Sequence, residues 1–259
     1  MTREPDLNPN VPASARIWNW LISGKDSYDV DREVVERMLA IAPDTKTLAW
    51  FCRDFLSQAV QSVAEAGVRQ FIDLGAGMPT YPNVGELARK IEPSTRILYV
   101  DNDPLVHAHC DALLTGWVGT KALKADIRWP HLVDTITAAS VIDFAEPVAI
   151  LMTQVLDYVS ADEQPEEIIR ALREAMAPGS YLVITHASDK SHADLRHQMI
   201  THTKHSPALP TFRSAEQIEL LIKGFDILEP GLVPVQQALD SELPETGLVV
   251  LSAVCRLEG

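Results

Sequence analysis

Cysteine is sparse and scattered in this chain: Cys52, Cys110 and Cys255 are odd in number, far apart and free of C-x-x-C spacing. That pattern excludes a disulfide framework and a zinc knot and predicts reduced, mostly buried thiols. Long apolar runs are missing too. None reaches the length of a membrane span, and residues 1–10 are polar, without the apolar stretch of a signal region. A cytoplasmic protein with no membrane partner is expected. Basic side chains are outnumbered, 22 Lys and Arg against 36 Asp and Glu, giving a formal charge of −14 with no visible basic patch. Such a surface repels a polyanion, so nucleic acid is not an expected partner. Nothing in the sequence sets the oligomeric state.

What is present is concentrated in two segments. Phe71-Ile72-Asp73-Leu74 runs into Gly75-Ala76-Gly77, and Tyr99-Val100-Asp101-Asn102-Asp103 follows shortly afterwards. Glycines at 75 and 77 let the backbone turn sharply and approach a ligand that a Cβ would hold away. Asp101, directly after an apolar strand, stands where a carboxylate accepts both hydroxyl hydrogens of a ribose. Asp103-Pro104 reads as a helix cap with proline at the first helical position, so Asp101 is not needed for that task. Together the segments describe a nucleoside-binding crevice.

The 259 residues suffice for one large core with additions. We expect a helical extension over 1–66, packed as a cap on a Rossmann-like catalytic domain over 67–259. Helices are predicted at 15–22, at 31–42 and along the stripe Leu48, Phe51, Phe55, Ala59 and Val63, which Gly67 ends. Trp18, Trp20 and Trp50 read as core anchors of that layer. Strands near 68–74, 96–100, 120–125, 147–152 and 180–186 then alternate with helices near 83–91, 104–114, 130–139 and 164–177. This pattern implies a doubly wound, mostly parallel α/β sheet with helices on both faces. Asn83-x-x-Glu86 and Ser214-x-x-Gln217 read as capping boxes. After a helix at 214–223, strands at 225–228 and 248–256 lack room for a crossover helix, which predicts an antiparallel finish.

Dinucleotide-dependent dehydrogenases share the glycine turn and the ribose acid. Their fingerprint also wants a third glycine and a helix N-terminus aimed at a pyrophosphate. Thr80 stands in that place, and Pro79 and Pro82 delay the helix to about Asn83. A nucleoside without phosphates fits better, with Asp73 placed to orient an ammonium group.

These segments, with Asp126 after the third strand and Ala177-Pro178-Gly179 before the fifth, resemble class I S-adenosylmethionine-dependent methyltransferases. The chain resembles more closely the actinobacterial S-adenosyl methyltransferase family, long described as a domain of unknown function. Its marks recur as Ala15-Arg16-Ile17-Trp18-Asn19-Trp20-Leu21-Ile22-Ser23-Gly24-Lys25-Asp26, Gly77-Met78-Pro79-Thr80-Tyr81-Pro82-Asn83-Val84, Ala177-Pro178-Gly179-Ser180-Tyr181 and Glu229-Pro230-Gly231-Leu232-Val233. The resemblance implies a seven-stranded sheet with an antiparallel last strand and S-adenosyl-L-methionine across its C-terminal edge. It puts the Gly75-Ala76-Gly77 loop near the methionine part, Asp101 at the ribose hydroxyls, Asp126 and Ile127 at the adenine, and Thr153 and Gln154 near the sulfonium, with Asp73 and Asn102 completing the cofactor-binding set. The chain departs from the family pattern at Ser23, usually glycine, at Asn19, usually an acid, and at Asp157, usually histidine.

Methyl transfer from a sulfonium relies on alignment, so no fixed catalytic motif is required. Where the acceptor is a hydroxyl or an ammonium a base must take a proton, and His186 at the end of the fifth strand is the candidate; the alternative is that it caps a helix or bonds a loop. The junction 23–28 is either a plain loop or part of the acceptor pocket, which makes Lys25, Asp26, Tyr28 and Tyr81 substrate candidates. Among His192, His197, His202 and His205 only the last two have a helical-face spacing, and no metal site is expected. The leading reading is a methyltransferase with a small-molecule acceptor. The rivals are a non-catalytic S-adenosylmethionine-binding or regulatory protein and an NAD(P)-dependent oxidoreductase.

Overall fold

The computed structural model describes residues 8–239 and 242–259, so most of the polar 1–10 segment lies outside the described residues. Three helices lead the chain: α1 (Ser14–Leu21), α2 (Asp29–Ile41) and α3 (Thr45–Glu65). Then β1 (Gln70–Leu74), α4 (Val84–Ile91), β2 (Arg96–Asp101), α5 (Pro104–Leu114), β3 (Thr120–Lys124), α6 (Leu132–Ala138), β4 (Ala149–Thr153), α7 (Pro165–Ala175) and β5 (Tyr181–Ala187) alternate. The chain closes with α8 (Ala193–Thr203), α9 (Ala215–Leu221), β6 (Asp226–Ile227), β7 (Val233–Pro234), α10 (Val235–Leu239) and β8 (Val250–Arg256).

Local chemistry sets many of the boundaries. Asn83 and Glu86 exchange the two bonds of a capping box at α4, Ser214 and Gln217 do so at α9, and Asp103 accepts from the Leu105 N–H ahead of Pro104 at α5. Between β4 and α7 lie two short 3-10 turns, Leu156–Tyr158 and Ala161–Glu163, that the apolar periodicity does not signal.

The strands order as β3-β2-β1-β4-β5-β8-β6, with β7 also on β8. The first five pair in parallel, and β8 runs antiparallel to β5 over seven residue pairs. Eight strands replace the expected seven because the last edge is interrupted. β6 pairs with Cys255 and Arg256 and β7 with Leu251 and Ser252, and the Leu228–Gly231 turn separates them.

Strand alternation splits the interior in two. Phe71, Ile97 and Tyr99 face a core that includes α1 to α5, while Ile72, Leu74, Leu98 and Val100 face one built on α6, α7 and α9. The first helices therefore share a continuous core with one face of the sheet. Trp18 and Trp20 pack against that core, but Trp50 is 48 % exposed and anchors nothing, since it lies on the face of α3 away from Leu48, Cys52 and Phe55. The chain order reverses between β1 and β4, and the crevice outside the C-terminal ends of these strands is where an open sheet of this kind holds a ligand.

Candidate active site

A cavity of about 730 Å³ opens there, within the size range of small-molecule sites. Its floor brings together Asp73, Gly75, Ala76, Gly77, Asp101, Asn102, Asp126, Ile127, Thr153 and Gln154 from the ends of β1, β2, β3 and β4. The acids step outward along the parallel strands: Asp73 lies beside Tyr99, two residues before Asp101, and Asp101 lies beside Lys124, two residues before Asp126.

Gly75 and Gly77 both adopt positive φ, +72° and +64°, which favours glycine. Their surroundings differ. A Cβ on Gly75 would lie 2.5 Å from the Val155 side chain, whereas one on Gly77 would meet nothing within 4 Å, so the space above the second glycine is open. The turn is tied to the ribose acid, because the Gly77 N–H donates to Asp101 Oδ2 at 3.0 Å and the Asp103 N–H to Oδ1 at 2.9 Å. Burial pushes the Asp101 carboxyl up to about 6 despite these bonds, and the Asp73 carboxyl up to about 7 despite the Arg53 guanidinium nearby.

Beyond β3 the arrangement is stiffer. Arg128 grips Asp126 through Nε at 2.8 Å and Nη2 at 2.5 Å and reaches Glu163 at 2.8 Å, while Asn102 Nδ2 donates to Asp126 Oδ2 at 3.2 Å. Burial alone would raise Asp126, but the Arg128 bonds and charge hold it below the usual carboxylate range.

The rest of the lining comes from outside the sheet motifs. Trp18 and Asn19 of α1, Ile22 just past its end, Cys52, Arg53 and Leu56 of α3, Tyr158, and side chains of the 206–211 stretch close the cavity. Trp18 Nε1 donates to the Tyr158 hydroxyl at 2.9 Å, joining cap to floor. Arg53 Nη2 donates to the Thr80 and Pro82 carbonyls, and its Nε is buried without a partner. Arg53 was legible as a lone cation beside the apolar stripe of α3, and Arg128 as a cation two residues after Asp126; neither carries a motif of its own.

The candidate base His186 is not among the lining residues. It is fully buried, with Nδ1 2.9 Å from both the Ala187 carbonyl and Asp157 Oδ1, and Nε2 accepting from Arg213 at 2.5 Å. Arg213 also donates to the Leu156 and Val159 carbonyls, so this cluster braces the turn that presents Tyr158. Lys25, Asp26, Tyr28 and Tyr81 also lie outside the lining. Lys25 and Asp26 are exposed, Tyr28 stacks under Arg16, and Tyr81 is 81 % exposed. The junction instead serves Asn19, whose Oδ1 accepts from the Asp26 N–H at 3.1 Å. A Cβ on Gly24 would lie 2.1 Å from that oxygen, and Ser23 has φ +68°, a backbone conformation that favours glycine. Among the described residues no group of three or more His, Cys, Asp or Glu is arranged to hold a metal ion; His202 bonds Arg37 and Gln198. No helix among the described residues is long and apolar enough to cross a membrane.

No curated protein matches the chain. It is similar to a DUF574 family protein from Streptomyces avermitilis at 29 % identity, covering 97 % of this chain and 100 % of that one with a TM-score of 0.89. It is also similar to a candidate methyltransferase from Thermobifida fusca at 31 % identity, covering 96 % of each chain with a TM-score of 0.87. At 18 % identity and a TM-score of 0.51, covering 81 % of this chain and 88 % of that one, the N-methyltransferase NodS from Bradyrhizobium japonicum, solved with S-adenosylhomocysteine, shares the fold. The model of the family described as S-adenosyl methyltransferase matches residues 1–249, so the chain belongs to that family, and S-adenosylmethionine is its cofactor.

Proposed function

We propose that the protein transfers the methyl group of S-adenosylmethionine to a small-molecule acceptor. The observation that carries this reading is the convergence of Asp73, Asp101 and the Gly75–Gly77 turn on one cavity whose lining also takes in side chains of α1, α3 and the 206–211 stretch. The residues fit the cofactor. Open space above Gly77 leaves room for close approach, and each Asp101 oxygen keeps a lone pair for a ribose hydroxyl. Arg53 and Asp73, opposite in charge and within electrostatic reach, match the carboxylate and ammonium of the methionine end.

When bound, the cofactor supplies a methyl group on a positively charged sulfur, open to in-line displacement. The chain's part is to hold the two reactants aligned and to keep water out. Trp18 and Tyr158, bonded across the cavity, supply that closure. The oxidoreductase reading has less support, because the first N–H groups of α4 are already taken: Gly85 donates to the Tyr99 hydroxyl and Glu86 to Asn83. No pyrophosphate cradle remains there.

Calorimetric titration with S-adenosylmethionine, S-adenosylhomocysteine and NAD tests the site. Binding of the first two and not the third is expected; preference for NAD would sink the proposal. Radiolabelled methyl transfer into small-molecule extracts then separates an enzyme from a non-catalytic binder, which would hold the cofactor and label nothing.

A further inference from the structure

Charge is distributed unevenly along the cavity. Asp126, Arg128 and Glu163 are paired among themselves beyond β3, Asp101 and Asp103 hold the end of β2, and Asp73 and Arg53 face one another at β1. The remaining walls differ. They include Trp18 of α1, Ile22 just past its end, Leu56 of α3, and Ile200, Leu209 and Pro210. Ile200 and Leu209 are 42 % and 39 % exposed, which leaves apolar side chains on the outer part of the lining.

The polar atoms among these walls are largely committed to the protein. Asn19 Oδ1 takes the Asp26 N–H, and Ser206 Oγ donates to the Thr203 carbonyl at 2.9 Å while accepting from the Ala208 N–H at 3.2 Å. A charged ligand body here would lose its hydration with no counter-charge to replace it. Gln154 and Tyr158 each keep a donor in this lining. Gln154 Nε2 is buried without a partner on a residue held at φ +59°, and Tyr158, whose oxygen accepts from Trp18, keeps its hydroxyl hydrogen.

We infer that the acceptor is an uncharged, largely apolar small molecule with one nucleophilic hydroxyl or aromatic amine, its body against these apolar walls and its polar atom at Gln154 and Tyr158. The inference rests on the methyltransferase reading and adds the class of substrate. A carboxylate elsewhere on the acceptor would find Arg53 turned to the Thr80 and Pro82 carbonyls and Arg128 already paired with Asp126 and Glu163.

The test uses the full chain loaded with S-adenosylhomocysteine and three probes of one shape, titrated at neutral pH: 2-naphthol, 2-naphthoate and 2-naphthylmethylamine, which are neutral, anionic and cationic. The neutral probe should bind on the order of tenfold or more tighter than either charged one. Leu209→Asp, at a partly exposed position, should weaken 2-naphthol and leave S-adenosylhomocysteine affinity unchanged. Equal or tighter binding of a charged probe overturns the inference, and so does the absence of 2-naphthol binding to the loaded protein. Failure of S-adenosylhomocysteine to bind removes the cofactor reading and the inference with it, so the two failures are told apart.

Discussion

The two halves of the cavity are made in different ways. The proposed cofactor half stands on strand ends, where Asp73, Asp101 and Asp126 step outward from β1 to β3 and backbone N–H groups of neighbouring turns hold Asp101 and Asp126 in place. The proposed acceptor half is assembled from side chains far apart in the chain, Trp18, Leu56, Tyr158 and Leu209, that come together because helices and loops pack over the sheet. On the proposed reading, a local design binds the common reactant and a distributed one shapes the variable reactant. Substitutions in the first half should therefore act on a known ligand with sharp, separable effects.

The largest effect is expected at Gly75, compared with Gly77. Gly75→Val sets a Cβ against Val155 at a positive φ, so overpacking and backbone strain together should cost about 2–5 kcal/mol of stability. Gly77→Val carries only the backbone cost, about 1–2 kcal/mol, because nothing crowds its Cβ, yet it fills the ligand's space. Urea unfolding and S-adenosylhomocysteine titration should thus rank the pair in opposite orders of damage. Equal stability losses would break the distinction.

His186 comes next. Its imidazole holds Arg213 and Asp157 in a buried cluster, so His186→Ala should lower stability by about 2–4 kcal/mol through the lost bonds to these partners and the cavity left behind. Cofactor affinity at temperatures where the variant is folded should be nearly unchanged. A variant of native melting temperature would remove this structural role.

Asp101→Ala should weaken S-adenosylhomocysteine binding by about 1.5–3 kcal/mol with the fold intact, since a carboxylate that accepts ribose hydroxyls is lost. Titration that finds wild-type affinity would take Asp101 out of the site. The same carboxylate and Asp73 give the pH dependence its sign. Burial raises both, to about 6 and about 7, so the free protein retains protons that an unfolded chain would release, and this contribution to stability is lost as pH rises through those values. A ligand that needs both ions must expel those protons. Its affinity should fall as pH drops below about 7, by at most about tenfold per unit for each group, with proton release seen calorimetrically in buffers of different ionisation heat. Flat affinity across this range would mean that neither acid meets the ligand.

How far each half could be read in advance follows from its construction. Gly75, Gly77, Asp101 and the α4 and α5 caps each obey a short-range rule, a turn needing positive φ or a side chain reaching a nearby N–H, and all stand where periodicity put them. The interrupted edge strand and the 3-10 turns after β4 have too few residues to show a period. Arg53, Tyr158 and the 206–211 stretch carry no local rule at all, since their place depends on packing between segments 27 to 140 residues apart. His186 was drawn to the site by its position at a strand end, but the crevice follows the reversal between β1 and β4, and β5 lies one strand past it.

The smallest effect sharpens the boundary of the acceptor half. Lys25 and Asp26 sit in the polar junction between α1 and α2, beside a residue that does line the cavity, and both side chains point away into solvent. What Asp26 contributes is its backbone N–H to Asn19 Oδ1, which a side-chain change leaves in place. Lys25→Ala with Asp26→Ala should therefore alter neither melting temperature nor turnover by more than about 0.5 kcal/mol equivalent. Asn19→Ala removes the acceptor of that bond and a cavity-lining group at once, and should lower turnover with cofactor affinity kept. If the double variant lost turnover while Asn19→Ala did not, the wall of the acceptor chamber would run through the junction, and α1 would be its support.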